Sequence, residues 1–412
     1  MQPPKQSSDW RTILLLIFSI GGILVMLMGA ITTQVMGFFP DPQSSVETSP
    51  LVRALVTSLM VTTALMLLPA GWLSLQRLRH QEIRPFQFPK FRPWMWVLYV
   101  LIWLLSLVLA TLLFDAPSAG WYVPLFHFLS IALPVFAYVY ILTGRISIGS
   151  NQRVWGVFSA GLLISPALSI VAEVALVLFS LVIVGIIIGF NPENLGTFQR
   201  TIERIQAATD LDSLMFVIQP VARNPLTLVV GLVLLSGFVP FIEETFKSVG
   251  VWLVFDKLET SAQGFALGAV SGAAFAFLES LGASISPDPA WGATLFMRAV
   301  SSMMHILATG FVGWGIARAR IEKKYLGMIG FYLLAMTIHS LWNAGAVLSV
   351  IGGMRLAISF ENIDIFGGMI MVAGVGTLLF MMAAMPGAMI FLNRKLGMAS
   401  GRSEPVVDQE QR

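Results

Sequence analysis

The chain has 412 residues, of which 56% are hydrophobic and only 11% are charged. A water-soluble domain carries about 25% charged residues, so a soluble enzyme, a disordered protein and a fibrous protein are set aside. With a mean hydropathy of +0.81, the sequence reads as helices packed in a lipid bilayer. The net charge of +3 sits in short loops between apolar runs, where it orients the chain, and no nucleic-acid partner is expected. The absence of Cys removes disulfides, thiolate metal ligands and a Cys nucleophile. Imidazole is confined to His80, His127, His305 and His339.

Apolar segments of roughly 20 residues, long enough to cross a bilayer, begin near Ile13, Leu51, Trp94, Trp121, Val154, Pro225, Ser261, Thr294, Tyr325 and Phe366. The expected fold is therefore an all-α, polytopic transmembrane helix bundle of about ten spans. The stretch from Val154 to Phe190 would run about 55 Å as one helix against a hydrocarbon core of about 30 Å. A kink at Pro166 or a tilt accommodates it. Between Asn194 and Val221, the positions of Phe198, Ile202, Ile205, Leu211 and Phe216 suggest short amphipathic helices at the outer interface.

Loop charge sets the orientation. Arg77–Arg92, Arg145 with Arg153, Arg318–Lys324 and Arg394-Lys395 are basic, while the loops at 40–50, 115–120 and 286–291 have neither Lys nor Arg. Both termini are placed in the cytoplasm by this asymmetry.

Ionisable residues inside spans cost roughly 2.5–3.5 kcal/mol each on the insertion scale, and by default mark function. The first four spans are nearly free of them. Later spans carry Glu173, Glu243, Glu244, Lys247, Glu279, Arg298, His305 and His339. In Val239-Pro240-Phe241-Ile242-Glu243-Glu244-Thr245-Phe246-Lys247, the proline breaks or kinks the helix. A half-helix starting there would put both carboxylates in its first turn, favoured by the helix dipole. Glu243 and Lys247 are spaced to pair on one face. Gly264, Gly268 and Gly272 form a small-residue stripe that lets another helix approach the one bearing Glu279. His339 and Asn343, four apart, project from one face of the ninth span. Two imidazoles, one carboxylate ligand and a second glutamate as base are what a catalytic zinc uses. Glu173, His127 and His80 read as packing or interfacial residues, and Arg298 as a side chain snorkelling to the interface.

The ordered set Glu243-Glu244-x-x-Lys247, Phe275-x-x-x-Glu279, His305 and His339-x-x-x-Asn343 resembles the PrsW-type intramembrane proteases. That family is distantly related to the CAAX-prenyl and bacteriocin-processing enzymes, whose pattern is EExxxR, FxxxH and HxxxN. Glu279 stands where the CAAX branch has a histidine, which favours the PrsW side. The resemblance covers about Phe241 to Asn343. It implies a glutamate- and histidine-dependent metallo-endopeptidase acting on membrane-linked protein substrates, in a multi-pass protein of the bacterial plasma membrane. By this resemblance Glu279, His305 and His339 would hold a divalent metal, zinc being the ion expected. Glu243, Glu244, Lys247 and Asn343 would be catalytic, with one of the paired glutamates as base. In the alternative assignment Glu244 is a ligand and Glu279 positions the substrate or supports a ligand. A rival function is a proton- or ion-coupled transporter using the same Glu/His cluster.

The chain so divides into a polar tail (1–10), five N-terminal membrane helices (11–190), an outer loop (191–224), a four-span catalytic core (225–350), a last span (351–395) and a cytoplasmic tail (396–412). Reporter fusions placed after Pro42 and after Arg79 should land on opposite sides of the membrane; the same side for both would overturn this topology.

Overall fold

The computed structural model describes residues 10–39, 49–116, 118–189, 192–207, 217, 223–288, 290–357 and 364–400. Among them the regular structure is helical, with no strand beyond one isolated bridge between Pro85 and Ser150. The fold is all-α. Among the described residues ten helices are long and apolar enough to cross a membrane: Trp10–Met36, Pro50–Leu78, Pro93–Leu113, Ala119–Thr143, Asn151–Ile183, Pro225–Leu253, Ser261–Ala283, Trp291–Glu322, Tyr325–Leu356 and Ile365–Met398. They are referred to below as the first to tenth spans.

The chain clusters into two compact units. The first comprises Met1–Pro166, Phe246–Ala335 and Met385–Arg412. Its centre is the pair formed by the seventh and eighth spans, which are buried along most of their length. The glycine stripe makes this possible. Gly264 faces Gly313 and Ala317, Gly268 faces Thr309, and Gly272 faces His305. A Cβ on Gly272 would lie 2.6 Å from the His305 carbonyl oxygen, so only a bare backbone permits this approach. Thr260 starts the seventh span by accepting a hydrogen bond from Gln263 N at 3.1 Å. Lys323, with φ 57°, ends the eighth in the left-handed region. His127 is packed as a structural residue, 2.8 Å from Ser284 Oγ and stacked on Trp291.

The second unit comprises Ala167–Thr245 and Met336–Ala384. Here the ninth and tenth spans meet through Gly345, Gly352 and Gly374, each close to backbone or side chain of the facing helix. Asp364 caps the tenth span by accepting from Gly367 N at 2.8 Å, and Arg355 Nη2 lies 2.8 Å from its other oxygen. The Gly367 N–H and the guanidinium beside it hold the Asp364 carboxyl below its ordinary range. Helix Pro192–Ala207 carries exposed Ile202 and Ile205 beside Arg200 and Arg204, an amphipathic pattern. Leu211 and Phe216 lie outside the described residues.

Both prolines singled out in the sequence sit just after a π-helical turn. Ala160–Ile164 precedes Pro166, and Leu234–Phe238 precedes Pro240. The proline ring clashes with the carbonyl four residues back, here Leu162 and Ser236, and the widened turn relieves the clash. The sixth span is therefore bulged rather than broken at Pro240. Glu243 and Glu244 do not stand at a helix start with free N–H groups, so the expected dipole stabilisation does not apply to them.

Gly272→Ala should destabilise the protein by about 1–3 kcal/mol, because the seventh and eighth helices must part to admit the methyl. Gly282→Ala, with nothing within 4 Å of its added Cβ, should stay within about 0.5 kcal/mol of wild type. Equilibrium unfolding in mixed micelles would compare the two.

Candidate active site

In the first unit the glycine contacts fix the register between the seventh and eighth spans, and the polar side chains follow from it. From the Gly272–His305 contact, two helical turns on along one span and back along the other bring Glu279 opposite Arg298. Arg298 Nη2 lies 2.6 Å from Glu279 Oε1, and His305 Nε2 lies 3.1 Å from Glu279 Oε2. Arg298, read from the sequence as a snorkelling side chain, thus meets a carboxylate. An apolar surround raises the cost of an unpaired guanidinium and makes the pair the cheaper arrangement.

Lys247 joins the same group. It is fully buried, with 0% exposure, and its Nζ lies 2.6 Å from His305 Nδ1 and 4.4 Å from the centre of the Phe275 ring. An ammonium can only donate, so Nδ1 accepts. Ser271 Oγ donates to the Lys247 carbonyl at 2.6 Å, fixing the end of the helix from which the lysine projects. His305 is therefore flanked on both ring nitrogens, by a carboxylate on one side and an ammonium on the other.

The second unit holds a matching arrangement. His339 is 1% exposed and Glu244 0%. His339 Nδ1 lies 2.9 Å from Glu244 Oε1, a hydrogen bond, while its Nε2 lies 3.7 Å from Glu243 Oε2. A carboxylate accepts, so Nδ1–H donates to Glu244, and Nε2 faces Glu243. That separation is too long for a hydrogen bond.

Asn343 Nδ2 donates to Leu235 O at 2.8 Å. The π turn explains why this carbonyl needs a donor. Val239 N–H reaches back to Leu234 O, one residue further than in an α-helix, and in that register Leu235 O faces Pro240, which has no N–H. Asn343 supplies the missing donor. Glu173 is half-buried on the fifth span.

Arg298 and Ser271 enter the site although the sequence singled out neither of them for it, and Phe275 enters it from the motif. The pairing of Glu279 with Arg298 follows only from the helix register that the glycine stripe sets. Phe275 lies within the Phe275-x-x-x-Glu279 spacing, and Ser271 beside the stripe.

The donors suit a divalent cation in type. Glu243, His305 and His339 are a buried carboxylate and two buried imidazoles. Each imidazole carries a carboxylate at one ring nitrogen, as metal-ligating histidines do, which fixes the ring; the other nitrogen faces Glu243 in His339 and the Lys247 ammonium in His305.

No curated protein and no solved structure gives a significant match to the chain. One family model does match, described as PrsW family intramembrane metalloprotease, over residues 153–378. With that match extending over more than half of its length and taking in Glu243, Glu244, Lys247, Glu279, His305, His339 and Asn343, the chain belongs to the PrsW family of intramembrane metalloproteases.

Proposed function

We propose that this protein is an endopeptidase that hydrolyses peptide bonds of membrane-linked proteins, with water activated by Glu243 and the imidazoles of His305 and His339. The reading is carried by one observation: both buried imidazoles have a carboxylate at one nitrogen, Glu279 for His305 and Glu244 for His339. His305 Nδ1, His339 Nε2 and a Glu243 oxygen would then hold a divalent cation, for which zinc is the expected identity. Glu279 and Glu244 act in this assignment as groups that orient ligands. That is the role the sequence left open for Glu279.

When bound, the cation would polarise the scissile carbonyl and bring the pKa of water toward neutrality. The chain's own groups do the rest. The second oxygen of Glu243, the one not given to the cation, accepts the water's proton as the new carbon–oxygen bond forms and passes it to the leaving amine. Glu244 holds the His339 ring in the tautomer that keeps Nε2 unprotonated. Lys247 contributes positive charge where negative charge develops on the carbonyl oxygen. Asn343 uses one N–H on Leu235 O and has a second to offer the substrate backbone. The termini would face the cytoplasm, in a bacterial plasma membrane.

A second reading is favoured by the 2.6 Å contact of Lys247 Nζ with His305 Nδ1, the nitrogen that a cation would need. In that reading the lysine supplies the positive charge itself, and Glu243 with His339 activates water directly.

Elemental analysis of the purified protein distinguishes the two: about one zinc per chain in the first, none in an active enzyme in the second. Glu243→Gln, His305→Ala and His339→Ala should each lower cleavage by on the order of 10²–10⁴-fold, with membrane insertion and abundance near wild type. Under the metal reading Glu244→Gln should weaken metal affinity about 10–100-fold, and Asn343→Ala should reduce cleavage by less than any of these. Full cleavage by the His305→Ala/His339→Ala double variant would end the assignment.

A further inference from the structure

We propose that Arg298 is a positioning residue of the active site: it holds the Glu279 carboxylate against His305 and so fixes which nitrogen of that ring carries the proton. Arg298 lies outside the motif residues that carry the family resemblance, and this role follows from the structure alone.

The need for it comes from Glu279. A glutamate side chain gives up much rotamer freedom when it is held in one place. The Glu279 side chain is 29% exposed, so a contact with one imidazole leaves it room to swing away. Arg298 supplies the second contact. Its Nη2 lies 2.6 Å from Glu279 Oε1, while Oε2 lies 3.1 Å from His305 Nε2. Each carboxylate oxygen has its own partner, which holds the carboxylate as a plane and not by one atom. A guanidinium suits the task because it is a rigid planar fork that is always charged.

Arg298 is itself held. Ser301 Oγ and Ser302 Oγ each donate to its carbonyl at 3.0 Å, and Ser280 Oγ donates to the same oxygen at 3.3 Å. Ser280 follows Glu279 in the seventh span, so this bond ties the backbone beside the glutamate to that of the arginine. Along the eighth span Arg298 and His305 are seven residues apart, two helical turns on one face, and the Glu279 carboxylate reaches both.

The consequence falls on the imidazole. Lys247 Nζ lies 2.6 Å from His305 Nδ1 and can only donate, so in the neutral ring the proton belongs on Nε2. A carboxylate kept beside Nε2 stabilises a proton there, and the partner at one ring nitrogen decides what the other presents. Arg298 therefore acts on His305 at one remove. The positioning is a matter of geometry; its effect on cleavage rests on the protease reading above.

The test is solid-state NMR of the full chain in lipid bilayers with 15N-labelled histidine, joined to a cleavage assay. The chain has only four histidines, which keeps the spectrum assignable, and prior chelation ensures that the ring nitrogens report protons alone. Wild type should show a protonated Nε2 and an unprotonated Nδ1 for His305. In Arg298→Gln the two His305 signals should move toward each other as the tautomers exchange. Those of His339, which has its own carboxylate in Glu244, should keep their wild-type positions. The kcat should fall about tenfold with KM within about twofold, the scale of losing a group that orients a ligand. Added to Glu279→Gln, Arg298→Gln should change neither readout further, because the arginine acts through the glutamate. That double variant strands no charge and keeps the test readable if Arg298→Gln alone unfolds. Wild-type His305 signals in Arg298→Gln, equal shifts at His305 and His339, or a further loss of about threefold or more in the double variant over Glu279→Gln would each overturn the proposal. A wild-type protein that cleaves nothing would end the protease reading, and the NMR comparison would still decide the role of Arg298.

Discussion

An ionisable group between apolar helices has no water to fall back on, so its partners must be built into the fold. Almost everything informative about this chain follows from that constraint. Lys247 is fully buried and meets the imidazole of His305 and the face of Phe275. Glu279 lies between Arg298 and His305. Glu244 and His339 satisfy each other. None of these contacts tolerates much displacement, because a charge that loses its partner in hydrocarbon costs several kcal/mol. The helices carrying them must therefore be held in fixed register, and the glycines of the seventh span do this by letting backbone touch backbone at Gly313, Thr309 and His305. The small-residue stripe and the polar cluster are one device: the first fixes the register that the second requires.

Proline plays the complementary part in the sixth span. By forcing a π turn it turns the residues after it relative to those before, and it leaves the Leu235 carbonyl without its own helix's donor. Asn343 fills that vacancy, which ties the sixth span to the ninth within the second unit. His339 lies one helical turn before Asn343, so the same tie fixes the ring that faces Glu243 and Glu244. A residue that the motif spacing presents as a donor for chemistry is thus first a donor for the fold. One amide N–H is spent on holding His339's helix, and one remains.

The sequence made the ten spans legible because each is a long apolar run between polar or basic loops, and length alone settles the matter. It also made the polar positions legible, since ionisable residues in such runs are few enough to be conspicuous. What it could not supply was pairing between helices. Glu279 and Arg298 meet because of an antiparallel register, and register is a property of two helices that neither sequence segment states. The reading of Arg298 as a snorkelling side chain used only its depth in its own span. The response to Pro240 was likewise underdetermined: a broken helix and a π turn both relieve the clash. Which one forms depends on whether another residue, here Asn343, can satisfy the carbonyl left over.

The two histidines present opposite nitrogens to the chemistry, and the reason is local. His339 has its carboxylate at Nδ1, which leaves Nε2; His305 has its carboxylate at Nε2, which leaves Nδ1. An Nδ1 donor lies close to its own helix backbone, so whatever it binds is held deep among packed side chains, where Lys247 already sits. A cation arriving at that nitrogen must displace an ammonium, and two positive charges at one lone pair exclude each other. The Phe275 ring face, 4.4 Å from Nζ, gives the lysine a second attractive surface in the same pocket, so displacement need not strand it. Lys247 therefore sets the threshold for any cation at His305, and the choice between a metal and a lysine as the positive centre rests on that one side chain.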